Sequence, residues 1–307
     1  MRGEQCPIPG GAAQSSHTPV LLPEMLSYMA PGPGKRFIDA TGGPGNMSRA
    51  LLEASGPDGR VLTIDCDPRA LAEQERILAG FGERSVRRRA NFARLGQVAA
   101  EEGFIPAQGV LYDLGVSSRM LDGPEYGASI RYDSRLDMRM DPDIDRTAFD
   151  LVNGLSEGEL GELFRRAGER RFARRIARAI VRAREKGPVE TTGRLAALIA
   201  EAVPRRFHPR NIHVATRPFN ALRVEVNKEP ESLEASLRQC PEVLAPNGVL
   251  VVICYSSTED RVLRAVIASQ AGQWRRLTRK AVRAGDEEVA RNPRSRSARL
   301  RAYRKVG

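Results

Sequence analysis

The stretch from Arg36 to Ser48, R-F-I-D-A-T-G-G-P-G-N-M-S, constrains the fold more than any other part of the chain. A short apolar strand, Phe37 and Ile38, ends in the carboxylate of Asp39. A turn holding Gly42, Gly43 and Gly45 follows, and Ser48 to Ala54 reads as a helix. Glycine suits such a turn because the backbone bends sharply there and can come very close to something else. In a parallel α/β sheet that something is a ligand lying beyond the carboxyl ends of the strands. A second strand, Arg60 to Ile64, ends in Asp65, where a carboxylate is placed to accept hydrogen bonds from ribose hydroxyls. Together the two features predict a bound nucleoside. The turn is neither the full G-x-G-x-x-G of a dinucleotide fold nor followed by the G-K-[ST] of a triphosphate site. Taken alone, its glycines also suit a turn that merely tightens a strand-to-helix connection.

The rest of the amino-terminal half repeats the strand–helix rhythm. A helix runs from Arg69 to Gly80 behind Pro68, and a third strand carries Val86 and ends near Ala90, Asn91 and Phe92. A helix from Leu95 to Glu102 leads to a fourth strand, Gly109 to Asp113. This alternation predicts a doubly wound, mostly parallel sheet. The rhythm stops at the polar loop Leu114 to Ser118. From Leu121 to Asp145 the chain is rich in Asp, Gly, Pro and Arg. Helices follow with no strand between them, over Glu157–Arg166, Arg170–Lys186 and Thr192–Val203. They read as a helical domain, residues 121–213, inserted into a sheet domain made of 17–120 and 214–307. The strongly apolar strand Val249–Cys254 is a central one. Segments around Trp274 and from Ser297 to Arg304 read as an antiparallel edge hairpin, bringing the sheet to seven strands.

Composition narrows the partner. The formal net charge is +11, carried mostly by arginine, whose planar fork suits phosphates. An anionic polymer is the expected partner. The predicted helix 170–186 surrounds Phe172, Ile176 and Ile180 with Arg171, Arg174, Arg175, Arg178 and Arg182; each arginine alone fits a solvated face beside a core stripe, and the set is a better match to a phosphate-facing surface. Aromatic residues are only 5%, so stacking of bases on an aromatic platform is not the expected mode of binding. The four cysteines form no C-x-x-C pair and the three histidines supply no zinc pattern, so no metal is expected. No run is long and apolar enough for a membrane span. Residues 1–16, rich in Gly, Pro, Ser and Gln, predict a flexible start without a secretory signal and a cytoplasmic protein.

Six motifs in order now carry a resemblance: H-T-P-V-L-L at His17, D-L-G-V-S-S at Asp113, L-D-M-R-M-D at Leu136, G-E-R-R-F-A-R-R-I-A-R-A-I at Gly168, A-T-R-x-F-x-A-L-R at Ala215 and N-P-R-S-R-S-A at Asn292. From His17 onward the chain resembles the ribosomal-RNA small-subunit methyltransferase H family, also called MraW. The resemblance implies a class I fold that uses S-adenosyl-L-methionine, with an inserted helical domain that recognises the substrate. It implies methylation of N4 of a cytidine in the decoding region of small-subunit (16S-type) ribosomal RNA. The implied partner is that RNA or a partly assembled small subunit, and a homodimer is compatible with the sequence. By position, the cofactor contacts it implies are Gly43, Gly45, Asn46 and Met47, then Asp65, Phe92, Asp113 and Met120. The chain departs from the family where Met47 stands for a histidine, Met120 for a glutamine and Ser256 for a histidine.

Cytosine N4 is a weak nucleophile because its lone pair is delocalised into the ring. An acceptor on its N4–H returns that density toward the methyl group, while the site holds sulfur, methyl and nitrogen in line. Asp113 with Ser117 and Ser118 are the candidate catalytic residues, by their place at the end of the fourth strand; Asp113 alternatively only orients the cofactor. Glu259 and Asp260 are second candidates, alternatively capping a helix with Thr258. A target base inside structured RNA has to be splayed out to reach such a site. Arg135 and Arg139 either add to the grip on RNA or form a local ion-pair cluster with Asp137. The three departures leave open a second class, an RNA- or ribosome-binding relative without full activity. A small-molecule methyltransferase fits the positive charge poorly.

Overall fold

A computed structural model of the chain describes residues 19–115, 120 and 123–307. Its sheet runs in the order β3-β2-β1-β4-β5-β7-β6. The strands are β1 Arg36–Asp39, β2 Arg60–Asp65, β3 Ser85–Arg89, β4 Ala107–Asp113, β5 Leu244–Cys254, β6 Trp274–Arg276 and β7 Arg299–Lys305. The first five pair in parallel and β7 pairs antiparallel with both β5 and β6. The carboxyl-terminal strands thus form the expected antiparallel edge, with the later strand inserted next to β5.

Helices α1 Leu22–Met29, α2 Asn46–Ala54, α3 Pro68–Leu78 and α4 Leu95–Glu101 follow the strand alternation. Between β4 and β5 come α5 Ala148–Gly154, α6 Glu157–Arg166, α7 Ala173–Arg184, α8 Thr192–Ala202, α9 Thr216–Asn227 and α10 Glu229–Val243. Helix α11, Ser257–Ser269, follows β5, and α12, Asp286–Arg291, precedes β7. One sheet face packs Ile38, Leu62, Val110 and Val252 against Leu95, Leu237 and Leu263. The other packs Phe37, Val61, Leu111 and Val251 against Met25, Leu51 and Leu52. Strands covered on both faces read as continuous apolar runs, as these do.

Helices α5 to α8 close around a core of their own, with Leu160, Phe164, Ile176, Ile180, Leu195 and Ile199 at its centre, while α10 packs on the sheet. That core draws in Phe219, Leu222 and Val226 of α9 and residues of the preceding loop, including Leu136 and Met138. The loop is bound to α9 through Asn227, which accepts from Met140 N at 2.8 Å and donates to Met138 O at 2.7 Å. Arg139 holds Asp137 through two nitrogens at 2.7 and 2.9 Å and donates to the carbonyls of Pro142 and Ile144. The Arg-Asp-Arg run therefore orders its own loop on this side, and Arg139 is committed to it. Gly127 is required here: its φ is +57° and a Cβ would stand 1.8 Å from Arg135 O.

Candidate active site

The three parallel strands β1, β2 and β4 each end in an aspartate, and each aspartate does something different. Asp39 is wholly buried. It accepts from the Ser48 hydroxyl at 2.7 Å and from Thr41 N at 3.3 Å, and the Thr63 hydroxyl donates to Ser48 Oγ at 2.8 Å. It therefore ties the glycine turn to the sheet from beneath. Asp65 receives Gly43 N at 2.8 Å on one oxygen and Asp67 N at 2.9 Å on the other. Asp113 receives the Tyr255 hydroxyl at 2.8 Å, while its own N–H donates to Thr41 Oγ1 at 2.7 Å.

The turn itself is built for close approach. A Cβ on Gly42 would stand 2.3 Å from Thr63 Cγ2 and 2.7 Å from Gln74 Nε2, so no side chain fits. Gly43 and Gly45 have φ of +49° and +95°, where glycine is at home. Above Gly43 the space is open, with only Thr41 O within 4 Å of an added Cβ. Buried Gln74 supports the turn by donating to Gly43 O at 2.9 Å, and its Oε1 has no partner among the described residues.

Burial pushes these carboxyls up toward neutrality. Asp39 rises from 3.8 to about 6, its burial outweighing the donors on it. Asp65 rises to about 7, chiefly by burial, with the charges of Asp67 and Asp39 adding to it. Asp113 also rises to about 7 by burial, opposed by the Tyr255 hydroxyl and reinforced by the charges of Asp39 and Glu259. Asp65 and Asp113 both feel Asp39, so the three strand ends face one another. Converging carboxyls poised near neutral pH favour a ligand that brings donors and positive charge.

The loop after β5 supplies the fourth side. Glu259 accepts from Tyr255 N at 2.7 Å and Ser256 N at 2.9 Å, and Ser256 Oγ accepts from Glu259 N. This is a capping box, with Ser256 rather than Thr258 as the cap. Asp260 faces away from that role and holds Arg301 of β7 at 2.5 Å. On the β2 side, the loop from the helical unit folds back over the site: the Tyr126 hydroxyl donates to Asp67, and the Arg69 guanidinium lies 4.4 Å from the Tyr126 ring centre.

Gly43, Gly45 and Asn46 lie on the turn and the first residue of α2, beside Asp65 and Asp113. Phe92 follows β3 and meets Tyr112 edge-on at 6.0 Å. The Met47 side chain is 5% exposed and packs in the core with Phe37 and Leu51 rather than over the turn. Met120, 2% exposed, belongs to the core of the helical unit. Ser117 and Ser118 lie outside the described residues. Tyr255, Gln74 and Tyr126 were not among the expected site residues. For Tyr255 the available signal was its place directly after the last residue of β5. Among the described residues no cluster of side chains could hold a metal, and no helix is long and apolar enough to cross a membrane.

On the helical unit, Arg171, Arg174, Arg175, Arg178 and Arg182 are all exposed, and Ala173, Ile176, Ala177 and Ile180 point inward. Arg178 meets Glu157 at 3.4 Å.

Residues 14–306 match the MraW methylase family. The ribosomal RNA small subunit methyltransferase H of Syntrophotalea carbinolica is 43% identical, over 94% of this chain and 98% of its own length. That of Geobacter sulfurreducens is 44% identical, over 95% and 99%. Among solved structures, an rRNA methylase from Streptococcus thermophilus covers 92% of this chain and 95% of its own at 11% identity, with a TM-score of 0.46.

Proposed function

Because this chain belongs to the MraW methylase family, we propose that it is the S-adenosylmethionine-dependent methyltransferase that modifies N4 of a cytidine in the decoding region of small-subunit ribosomal RNA. The observation that carries this reading is Asp113, a half-buried carboxylate at the end of β4 oriented by the Tyr255 hydroxyl at 2.8 Å. Ionised, it is an acceptor for the N4–H of a splayed-out base. Ser117 and Ser118, four and five residues after it in the sequence, are proposed to assist it.

The residues present fit the cofactor. The open space above Gly43 and the cluster of carboxyls suit an adenosine joined to a cationic centre. When bound, S-adenosylmethionine supplies an electrophilic methyl group on its sulfonium. Gly43, Gly45 and Asn46 would hold it by their backbone, Asp65 would take the ribose hydroxyls, Phe92 would flank the adenine, and Asp113 would complete the site at the end of β4. The Met47 and Met120 side chains pack in the two cores, so neither would contribute a polar contact.

Residues 121–213 are proposed as the RNA-recognition lobe, with 17–120 and 214–307 forming the methyltransferase unit. The exposed arginines of α7 would grip flanking phosphates while the base is held. The substrate is proposed to be small-subunit RNA, free or partly assembled, in the cytoplasm. A relative that binds without turnover gains no support from the fold. Met47 packs in the core and Ser256 caps α11, so these two departures each have a structural role of their own.

Mass spectrometry of ribosomal RNA from a deletion strain tests the reading. N4-methylcytidine should be lost, restored by the wild-type gene and not by Asp113→Ala. Unchanged modification in the deletion strain would refute it.

A further inference from the structure

Away from the strand ends, the helical unit carries a second feature that combines apolar faces with cations. Phe172, the residue that precedes α7, and Phe207, in the short turn after α8, bring their ring centres to 5.3 Å with planes tilted 44°. The Arg171 guanidinium lies 3.9 Å from the Phe207 ring centre and 5.4 Å from that of Phe172. Arg206 stands 5.0 Å from the Phe207 ring on its own side. The rings and Arg171 border a cleft of about 230 Å³ closed on its far side by Ile212 and Arg217. Ile212 is 48% exposed, one of the few large apolar side chains left in solvent. The one acid at the cleft, Glu169, stands 4.0 Å from Arg217.

This chemistry selects its ligand. An isolated phosphate has no use for two aromatic rings and an exposed isoleucine. An apolar peptide has no use for the two guanidinium groups that line the cleft, Arg171 and Arg217. An unpaired nucleotide uses both, a flat π face for the rings and a phosphate for the arginines, and stacking of this kind accepts any base. The volume lies below the several hundred Å³ typical of pockets for drug-sized ligands, which suits a single planar base.

Position ties the cleft to the reaction. Arg217 lies in the first turn of α9. About 9 Å further along that helix, Arg223 meets Glu229 at 3.3 Å, and the carboxyl of Glu229 feels the charge of Glu259 beside Asp113. The same helix thus runs from the cleft toward the catalytic end of the sheet.

We propose that this Phe172–Phe207–Arg171 cleft is a stacking site for an unpaired RNA nucleotide that flanks the methylated one, holding the strand open while the target base is extruded. The proposal rests on the reading of the chain as an RNA methyltransferase. It makes the few aromatic residues of the helical unit a specific device, whereas composition alone argues against an aromatic platform.

The test uses the full chain and a small-subunit RNA fragment carrying 2-aminopurine at successive positions around the target. Phe207→Leu should weaken RNA binding roughly ten-fold, abolish the fluorescence quenching at one flanking position, and leave S-adenosylmethionine affinity unchanged. Phe207→Trp should keep both binding and quenching. Arg171→Gln, at an exposed position, should weaken RNA binding about three-fold even if Phe207→Leu proves unstable. The proposal is overturned if wild-type protein methylates the RNA while Arg171→Gln and a folded Phe207→Leu bind it within two-fold of wild type. If the wild type transfers no methyl to RNA, the functional reading itself fails, and the cleft loses its occupant with it.

Discussion

Asp65→Asn should make the protein more tolerant of alkaline pH and less able to bind its cofactor. Asp65 titrates at 3.8 in an unfolded chain and near 7 in the fold, mainly because of burial. The folded state therefore holds this proton more tightly than the unfolded state. Its contribution is most favourable below pH 3.8 and is lost as pH rises toward 7. The slope is about 1.4 kcal/mol per pH unit, and the whole effect about 4 kcal/mol. Partial exposure of the carboxylate reduces this to roughly 2–4 kcal/mol. The asparagine also gives up one of the two backbone donors, from Gly43 and Asp67, at a cost of about 1–3 kcal/mol. That cost is independent of pH, so it displaces the stability curve without changing its slope. Urea unfolding at half-unit steps from pH 4 to 8 separates the two effects. The difference between variant and wild type should climb in favour of the variant up to about pH 7 and level off above it. Asp113, whose shift does not involve Asp65, cancels in the difference, whereas Asp39 is coupled to Asp65 and loses a like charge in the variant, which adds to the gain in the same direction. Calorimetry should show affinity for S-adenosylmethionine falling at least ten-fold, since hydrogen bonds to a charged acceptor contribute about 1.5–3 kcal/mol. A flat difference curve would refute the buried, proton-retaining carboxylate. Undiminished affinity would refute its role beneath the ribose.

Tyr255→Phe removes the donor that opposes the upward shift of Asp113, so the acidic limb of the pH–rate profile should move up by about 1–2 units. Turnover should be depressed at pH 7 and recover near pH 9; a limb that stays in place would mean that Asp113 does not act ionised. Gly42→Ala should destabilise by about 1–3 kcal/mol through forced contact with Thr63 and Gln74. Gly80→Ala, with nothing within 4 Å, should melt with the wild type, and coincident melting of both variants would remove the packing argument for the turn.

How far the site could be read in advance depended on how local its signals are. The glycine turn and Asp65 announce themselves because a strand, a turn and a carboxylate at the next strand end lie within thirty residues of sequence. Helix α6 was readable to its ends because Ser156 and Glu159 form a capping box around a clear helical stripe. Helix α5 was missed, since Ala148 to Gly154 is too short for its periodicity to show. Strand β5 starts earlier than the apolar run from Val249 implies: Leu244 already pairs with Ala107, and the register shifts before Gly109 meets Val249. The Phe172–Phe207 pair was invisible because the two residues flank different helices, and only the packing of those helices brings the rings together.

The departures from the family pattern show the same division between local and non-local meaning. A methionine in place of a histidine at a ligand-binding turn reads, along the chain, as a lost polar contact. In the fold Met47 points away from the open side of the turn into the apolar core, where a thioether fills space without leaving a polar atom unpaired. Ser256 likewise reads as a lost imidazole, yet its hydroxyl completes a capping box with Glu259. The pairing leaves Glu259 holding the backbone of Tyr255, and Tyr255 in turn holds Asp113. A chain of hydrogen bonds thus runs from the substituted serine through the α11 cap to the carboxylate proposed to accept the N4–H. The substitution is coupled to the reactive end of the site through orientation. The functional weight at this position therefore rests on how firmly Glu259 and Tyr255 hold the end of β4, and not on an imidazole at residue 256.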